Sequence, residues 1–258
     1  MPQLLSKVKA NATVTLSPDS LADKPELAIL VASVIGRWSN IEHEINNLAA
    51  QVLGADAAPA IAMFNVLQAQ NVRMLAIDAA AKTAFGSSSE QYHVLNAAIR
   101  AAASVQNDRN RLAHWIWGSA PELPDALLLA NPIVLRSQEV ERTKYHADPF
   151  AHVSLPWDRV VRMYQFDTSK IYVYGKSDMH RSQRDLTEIG KIFFHLKLYF
   201  RPIIPANLPL PDHFAKDGRG TSAHALRELS KISIFHEALA RSKAKAPKDQ
   251  DSDPPEQL

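Results

Sequence analysis

The chain predicts a mainly α fold: an up-down bundle of four to five helices, with a small β-like insertion between the third and fourth long helices. Three observations carry this. Apolar residues recur at steps of three and four over long stretches, as on one buried face of a helix. Those stretches are joined by short loops, which suits antiparallel neighbours. Two short segments, DALLLANPIVL and KIYVYG, are rich in branched or aromatic residues and bounded by Pro or Gly, which is strand chemistry.

Taken in order, residues 1–22 read as a loosely structured N-terminal arm. The first helix opens with Asp23, Pro25 and Glu26, residues suited to a helix start. Its apolar stripe is Leu27, Val31, Val34, Trp38, Ile41, Ile45, Leu48 and Val52, and Gly54 is placed to stop it. The second helix is expected over 57–85, with Ile61, Phe64, Leu67, Met74, Ile77 and Ala81 inward. GSSSEQ then breaks the chain, and Ser88 or Ser89 caps a third helix over about 90–117. Its stripe is Val94, Leu95, Ala98, Ala102, Val105, Leu112 and Ile116. Residues 119–181 form the β-like insertion; between its two strand-like segments no long helical period is visible. A fourth helix over 182–200 turns Leu186, Ile189, Ile192, Phe193 and Leu196 inward. The bundle thus comprises 23–118 and 182–201. Residues 202–240 read as a Pro-rich linker and a C-terminal helix from 222, and 241–258 as a polar, disordered tail.

Composition narrows the function classes. A chain of 258 residues can bury a sizeable core in one or two domains. A net charge of +2 gives no global basic field, although a local patch remains open. The absence of cysteine excludes disulfides and thiolate metal sites and fits a reducing compartment. The first residues lack the apolar run of a signal peptide, and the longest apolar run, Leu27 to Gly36, is too short for a membrane span. The expectation is a cytoplasmic protein with no membrane partner. None of the ten histidines forms HExxH, so no metal and no cofactor is expected.

The segment NDRNRLAHWIWG, Asn107 to Gly118, departs from the pattern. At about 100° per residue, positions 98, 102, 105, 109, 112 and 116 share one stripe, so Arg109 falls where an apolar residue belongs. A charge on such a stripe needs a partner or a task. Glu42 lies about 40° from Trp38 on the first helix and is the favoured partner for its reach; Asp78, about 40° from Met74 on the second, is the rival. The bland alternative is that Arg109 bridges one of these acids to lock packing, that His114 caps the helix C-terminus, and that Trp115 and Trp117 pack.

Arg109-Asn110-Arg111-Leu112-Ala113-His114 resembles the signature of HEPN domains, an Arg, four to six intervening residues and then a His, often with Asn, Asp or His directly after the Arg, near the end of a long helix. The RWSNIEHEINNL helix, its two partners and the helix entered through VYGKSDMHRSQRDL are similar to the HEPN layout over roughly 24–118 and 182–200. The same spacing occurs at Arg37 to His43 and Arg219 to His224, without the Asn or the stripe anomaly. The resemblance implies a metal-independent endoribonuclease in bacterial defence, a toxin–antitoxin system or RNA turnover. Arg109 and His114 would be catalytic, with Asn110 and Glu42 supporting. It further implies an RNA substrate, 2′,3′-cyclic phosphate products, a homodimer and an antitoxin or other protein partner. An imidazole exchanges a proton near neutral pH, and a guanidinium holds phosphate oxygens. The contrasting expectation is a non-catalytic, dimeric HEPN-like interaction module. Asp178 to Asp185, DMHRSQRD, reads as a helix cap or, alternatively, an RNA-backbone contact.

Overall fold

The computed structural model describes residues 1–53, 58–67, 69–148, 155–201 and 221–244. Among these, ten helices and five short strands occur in the order β1 (Gln3–Leu4), α1 (Leu5–Val8), β2 (Thr15–Leu16), α2 (Pro25–Leu53), α3 (Ala58–Val66), α4 (Gln70–Phe85), α5 (Glu90–His114), β3 (Ile116–Ser119), β4 (Leu127–Ala130), α6 (Pro132–Ala147), α7 (Trp157–Tyr164), β5 (Ile171–Tyr174), α8 (Lys176–Phe200), α9 (Ser222–Lys231) and α10 (Ser233–Ala244). The protein is mainly helical, as the periodicity predicts. It divides into two units, 1–37 with 106–184 and 38–105 with 185–258, and α2, α5 and α8 each run from one into the other. This partition differs from the expected bundle-plus-insertion, because the ends of the long helices group with the sheet.

The first unit is built on an antiparallel sheet of order β1-β5-β4-β3-β2. Both edge strands come from the segment read as a loose arm: Gln3 pairs with Val173, and Thr15 with Ser119. Two-residue strands have no period to detect, so only their pairing partners define them. Residues paired across an antiparallel sheet share a face. Leu128, Ala130, Ile171 and Val173 therefore line one side, where Leu5, Ala120, Leu135 and Phe166 join them. Leu127, Leu129, Tyr172 and Tyr174 line the other. With both faces covered, LLLA is buried at all four positions, which explains its unalternating apolar run.

The expectation of a purely β-like insertion is corrected by α6 and α7. The helix start was present in the sequence: the Asn131 side chain accepts from the Ile133 N–H, and Pro132 occupies the first turn. No residue of α6 is buried, so it carries no stripe that a periodicity reading could detect. The third helix ends at His114 rather than Trp117, and Ile116 and Trp117 enter β3. The expected second helix is two, α3 and α4, and the C-terminal helix is α9 and α10 with a break at Ile232. The fourth helix begins six residues early, at Lys176, where Asp178 accepts from the Gly175 N–H at 3.2 Å. Gly54 and residues 245–258 lie outside the described residues; 241–244, assigned to the tail, continue α10.

In the second unit most of the expected inward residues are buried, with Leu67 and Val105 half-buried. Trp38, Ile41, Ile45, Leu48 and Val52 are buried on α2, Met74, Ile77 and Ala81 on α4, Val94, Leu95, Ala98 and Ala102 on α5, and Leu186, Ile189, Ile192, Phe193 and Leu196 on α8. Ser89 rather than Ser88 caps α5, accepting from the Tyr92 N–H at 3.1 Å. Polar links fasten the helices. Ser242 of α10 lies 3.2 Å from His93 Nδ1 and donates to Asn96 at 3.3 Å. Asp78 of α4 is paired with Lys82 at 2.7 Å and accepts from the Tyr92 hydroxyl at 2.9 Å and the Asn96 amide at 3.0 Å.

Burial disfavours ionisation of Asp78, but Lys82, Tyr92 and Asn96 outweigh it and hold the carboxyl below its ordinary value. Its stabilising contribution is therefore complete above the unfolded-state value of about 4 and is lost as pH falls through the lower folded one. Asp78→Ala should cost about 1–3 kcal/mol at pH 7, as an emptied polar cluster does. The gap to wild type in urea titrations should narrow below about pH 4. An equal gap at pH 7 and pH 3 would show that charge at Asp78 does not matter.

Candidate functional site

The site residues of the first unit gather where α5 runs out. A helix leaves its last carbonyls without intrahelical partners. Here the Trp115 N–H closes the final turn on Arg111 at 2.9 Å, and the Trp117 indole N–H donates to the Leu112 carbonyl at 3.0 Å. The chain then turns into β3, and the sheet fixes the position of this end. Tyr174 of β5 is fully buried and donates its hydroxyl to Asp108 Oδ1 at 2.9 Å. Burial, and the Asp108 carboxylate beside it, push the Tyr174 phenol far above the ordinary tyrosine value, so it remains a neutral donor. The Arg111 guanidinium lies 3.4 Å from Asp108 and stacks over the Tyr172 ring at 4.2 Å, while Trp115 meets Tyr172 edge-on at 5.7 Å.

On this anchored end Arg109, Asn110 and His114 come together. Arg109 Nη1 donates to Asn110 Oδ1 at 3.1 Å and lies 3.4 Å from His114 Nε2. In that contact the imidazole is the acceptor, which places its own proton on Nδ1. His114 is exposed, whereas Arg109 and Asn110 are half-buried. The expected stripe is thus corrected at its end. Ala98, Ala102 and Leu112 are buried, but Val105 and Arg109 are only half-buried, and Ile116 is an exposed strand residue. Arg109 sits at the margin of the buried face, with its guanidinium directed along the helix toward His114.

The proposed acid partners belong to the second unit. Glu42 accepts from the Trp38 indole N–H at 2.8 Å. Asp78 is occupied by Lys82, Tyr92 and Asn96. Glu44, two residues on, is paired with Lys197 of α8 at 2.8 Å. Of the two other matches to the spacing, Arg37 donates to Ser33 at 3.3 Å and His43 is exposed. Arg219 lies outside the described residues. Asp108, Arg111, Tyr172 and Tyr174 were not singled out from the sequence as one cluster. The signal was the IYVY alternation, which sends both tyrosines to the face that meets α5.

Among the described residues no group of three or more His, Asp or Glu side chains could hold a metal ion, and no helix is long and apolar enough to cross a membrane. A guanidinium and an imidazole in contact on an exposed helix end can bind an oxyanion and exchange a proton beside it. No family model matches the chain, and no characterised protein or solved structure proved significantly similar to it.

Proposed function

We propose that the protein is a metal-independent endoribonuclease of the HEPN type, working in the cytoplasm as a homodimer in bacterial defence or a toxin–antitoxin system. The observation that carries this reading is the 3.4 Å approach of Arg109 Nη1 to His114 Nε2 on an exposed helix end, with Asn110 holding the guanidinium. A phosphate oxygen is a stronger acceptor for Arg109 than an imidazole nitrogen. Substrate binding would therefore draw the guanidinium away and release the His114 Nε2 lone pair. His114 would then take the proton of the ribose 2′-OH as that oxygen attacks phosphorus. The bond from phosphorus to the 5′-oxygen breaks, the departing oxygen takes a proton from solvent water, and His114 returns the proton it took to solvent. The products are a 2′,3′-cyclic phosphate and a 5′-OH, with Arg109 stabilising the charge that builds at phosphorus. The Arg111–Tyr172–Trp115 stack stiffens the end of α5, so both groups stand on a rigid support. Incubating the purified chain with single-stranded RNA in EDTA should yield cyclic-phosphate ends. Intact RNA at high protein concentration, together with no growth arrest on overexpression, would refute the proposal.

A second reading, a non-catalytic dimeric interaction module, draws on α6. That helix buries no residue, and Ile133 and Val140 on it and Trp157 on α7 are exposed. Deleting the whole insertion would remove β4 and β5 from the sheet, so the cleaner variant changes those three side chains to serine. Loss of a cellular phenotype in the triple variant, with the phenotype retained in His114→Ala, would favour this module over the ribonuclease.

A further inference from the structure

We infer that the second unit binds a small anionic amphiphile: the cavity between α2, α3 and α4 takes the hydrocarbon chain of a medium-chain fatty acid, and Arg73 takes its carboxylate. The cavity measures about 270 Å³ and is lined by Ala49 and Val52 of α2, Met63 and Phe64 of α3, and Ala76 and Ile77 of α4, with Leu67 and Ala80 completing it. Every lining residue is apolar, so water inside would find few of the partners that hold buried water. The space exceeds the roughly 150 Å³ that admits benzene and falls just short of the roughly 300 Å³ at which drug-sized pockets begin. A single short chain fits this range.

Arg73 gives the cavity its sign. Its Nε donates to the Leu67 carbonyl, and its guanidinium carbon lies 6.0 Å from the Phe64 ring centroid. Both of those residues line the cavity. The other N–H groups of Arg73 make no hydrogen bond or ion pair among the described residues. A half-buried guanidinium held beside an apolar recess matches a planar carboxylate at the end of a chain. A neutral head would forgo that pairing, and a cationic head would be repelled. The recess is walled by three helices; of its lining residues Phe64 and Ile77 are buried and Met63 is exposed. This site stands apart from the Arg109–His114 reading and does not depend on it.

The test is titration of the full chain with sodium decanoate, decanol and decyltrimethylammonium, each kept below micelle formation. Decanoate should bind saturably at one site. Arg73→Met should weaken decanoate at least about ten-fold, as loss of a charge-assisted pair does, and leave decanol unchanged. Ala76→Leu and Ala80→Leu, which fill the recess, should abolish both. A measurement without substitution stands beside these: in methyl-labelled methionine spectra of the wild-type chain, decanoate should shift Met63 and leave Met163 and Met179 in place. Phosphatidylcholine vesicles should not bind. No saturable decanoate binding, equal affinity for the cationic amphiphile, an unmoved Met63 signal, or capture by vesicles would each overturn the inference. Vesicle capture would assign the face to a membrane surface, and failure of decanoate alone would leave a docking partner helix as its occupant.

Discussion

His114→Ala should lower RNA cleavage at least about 100-fold, the smaller end of what a positioned proton-transfer group contributes. The fold should be unchanged. His114 is exposed, and among the described residues its side chain hydrogen-bonds to Arg109, so the stability cost should stay within about 0.5 kcal/mol. Arg109→Met should lose at least as much, because it removes the charge that faces phosphorus. Pairing it with a change at Glu42 would confuse the result, since Glu42 accepts from the Trp38 indole and its loss would strand a buried donor. Arg109→Lys separates the two roles of the guanidinium. A lysine restores charge but not the fork, so partial recovery would point to electrostatics and no recovery to bidentate geometry. Cleavage at the wild-type rate in His114→Ala, with unchanged melting, would remove this site from the reaction.

Removing residues 1–16 should be the most damaging truncation. The sheet would fall from five strands to three, and Leu5, fully buried against Leu128, Ala130 and Ile171, would go with it. Leu5→Ala alone should cost about 2–5 kcal/mol, the range for a leucine emptied from a core. The truncated chain should also expose β3 and β5 as open edges and aggregate on heating. Gly118→Val offers a subtler route to the same end. A Cβ at Gly118 would stand 2.7 Å from Leu16 Cδ2 and 3.0 Å from the Thr15 carbonyl, so β2 would have to move away. A truncated chain that melts and stays dispersed like the full one would show that the edge strands are ornamental.

The long helices were legible because each carries its own evidence. All eight stripe residues named on α2, from Leu27 to Val52, are buried, and such a stripe needs no knowledge of what it packs against. Asn110 and His114, four apart, fall on one side of the helix; Arg109, which the sequence places on a different side, reaches both through its long side chain. What stayed hidden depends on distant parts of the chain. β1 and β2 exist through pairing with β5 and β3. Asp108 meets Tyr174 from the other side of an insertion whose helices gave no period. Asn131-Pro132 did announce α6, and the branched residues of NPIVL masked it. Glu42 stood out by angular position alone, and Trp38, one turn before it on the same helix, donates its indole N–H to that carboxylate.

The pairing of Gln3 with Val173 also bears on how the nascent chain must behave. β1 is synthesised long before β5, the strand it pairs with. At about 5–20 residues per second, its partner is made roughly 10–30 s later. Neither unit is continuous in sequence, so neither can be completed before its later segment has been made. Such long-range closure is slow. Between its own synthesis and that of β5, the LLLA strand has only β3 to pair with, which makes translation speed and chaperone supply variables in how much of this protein reaches its native state.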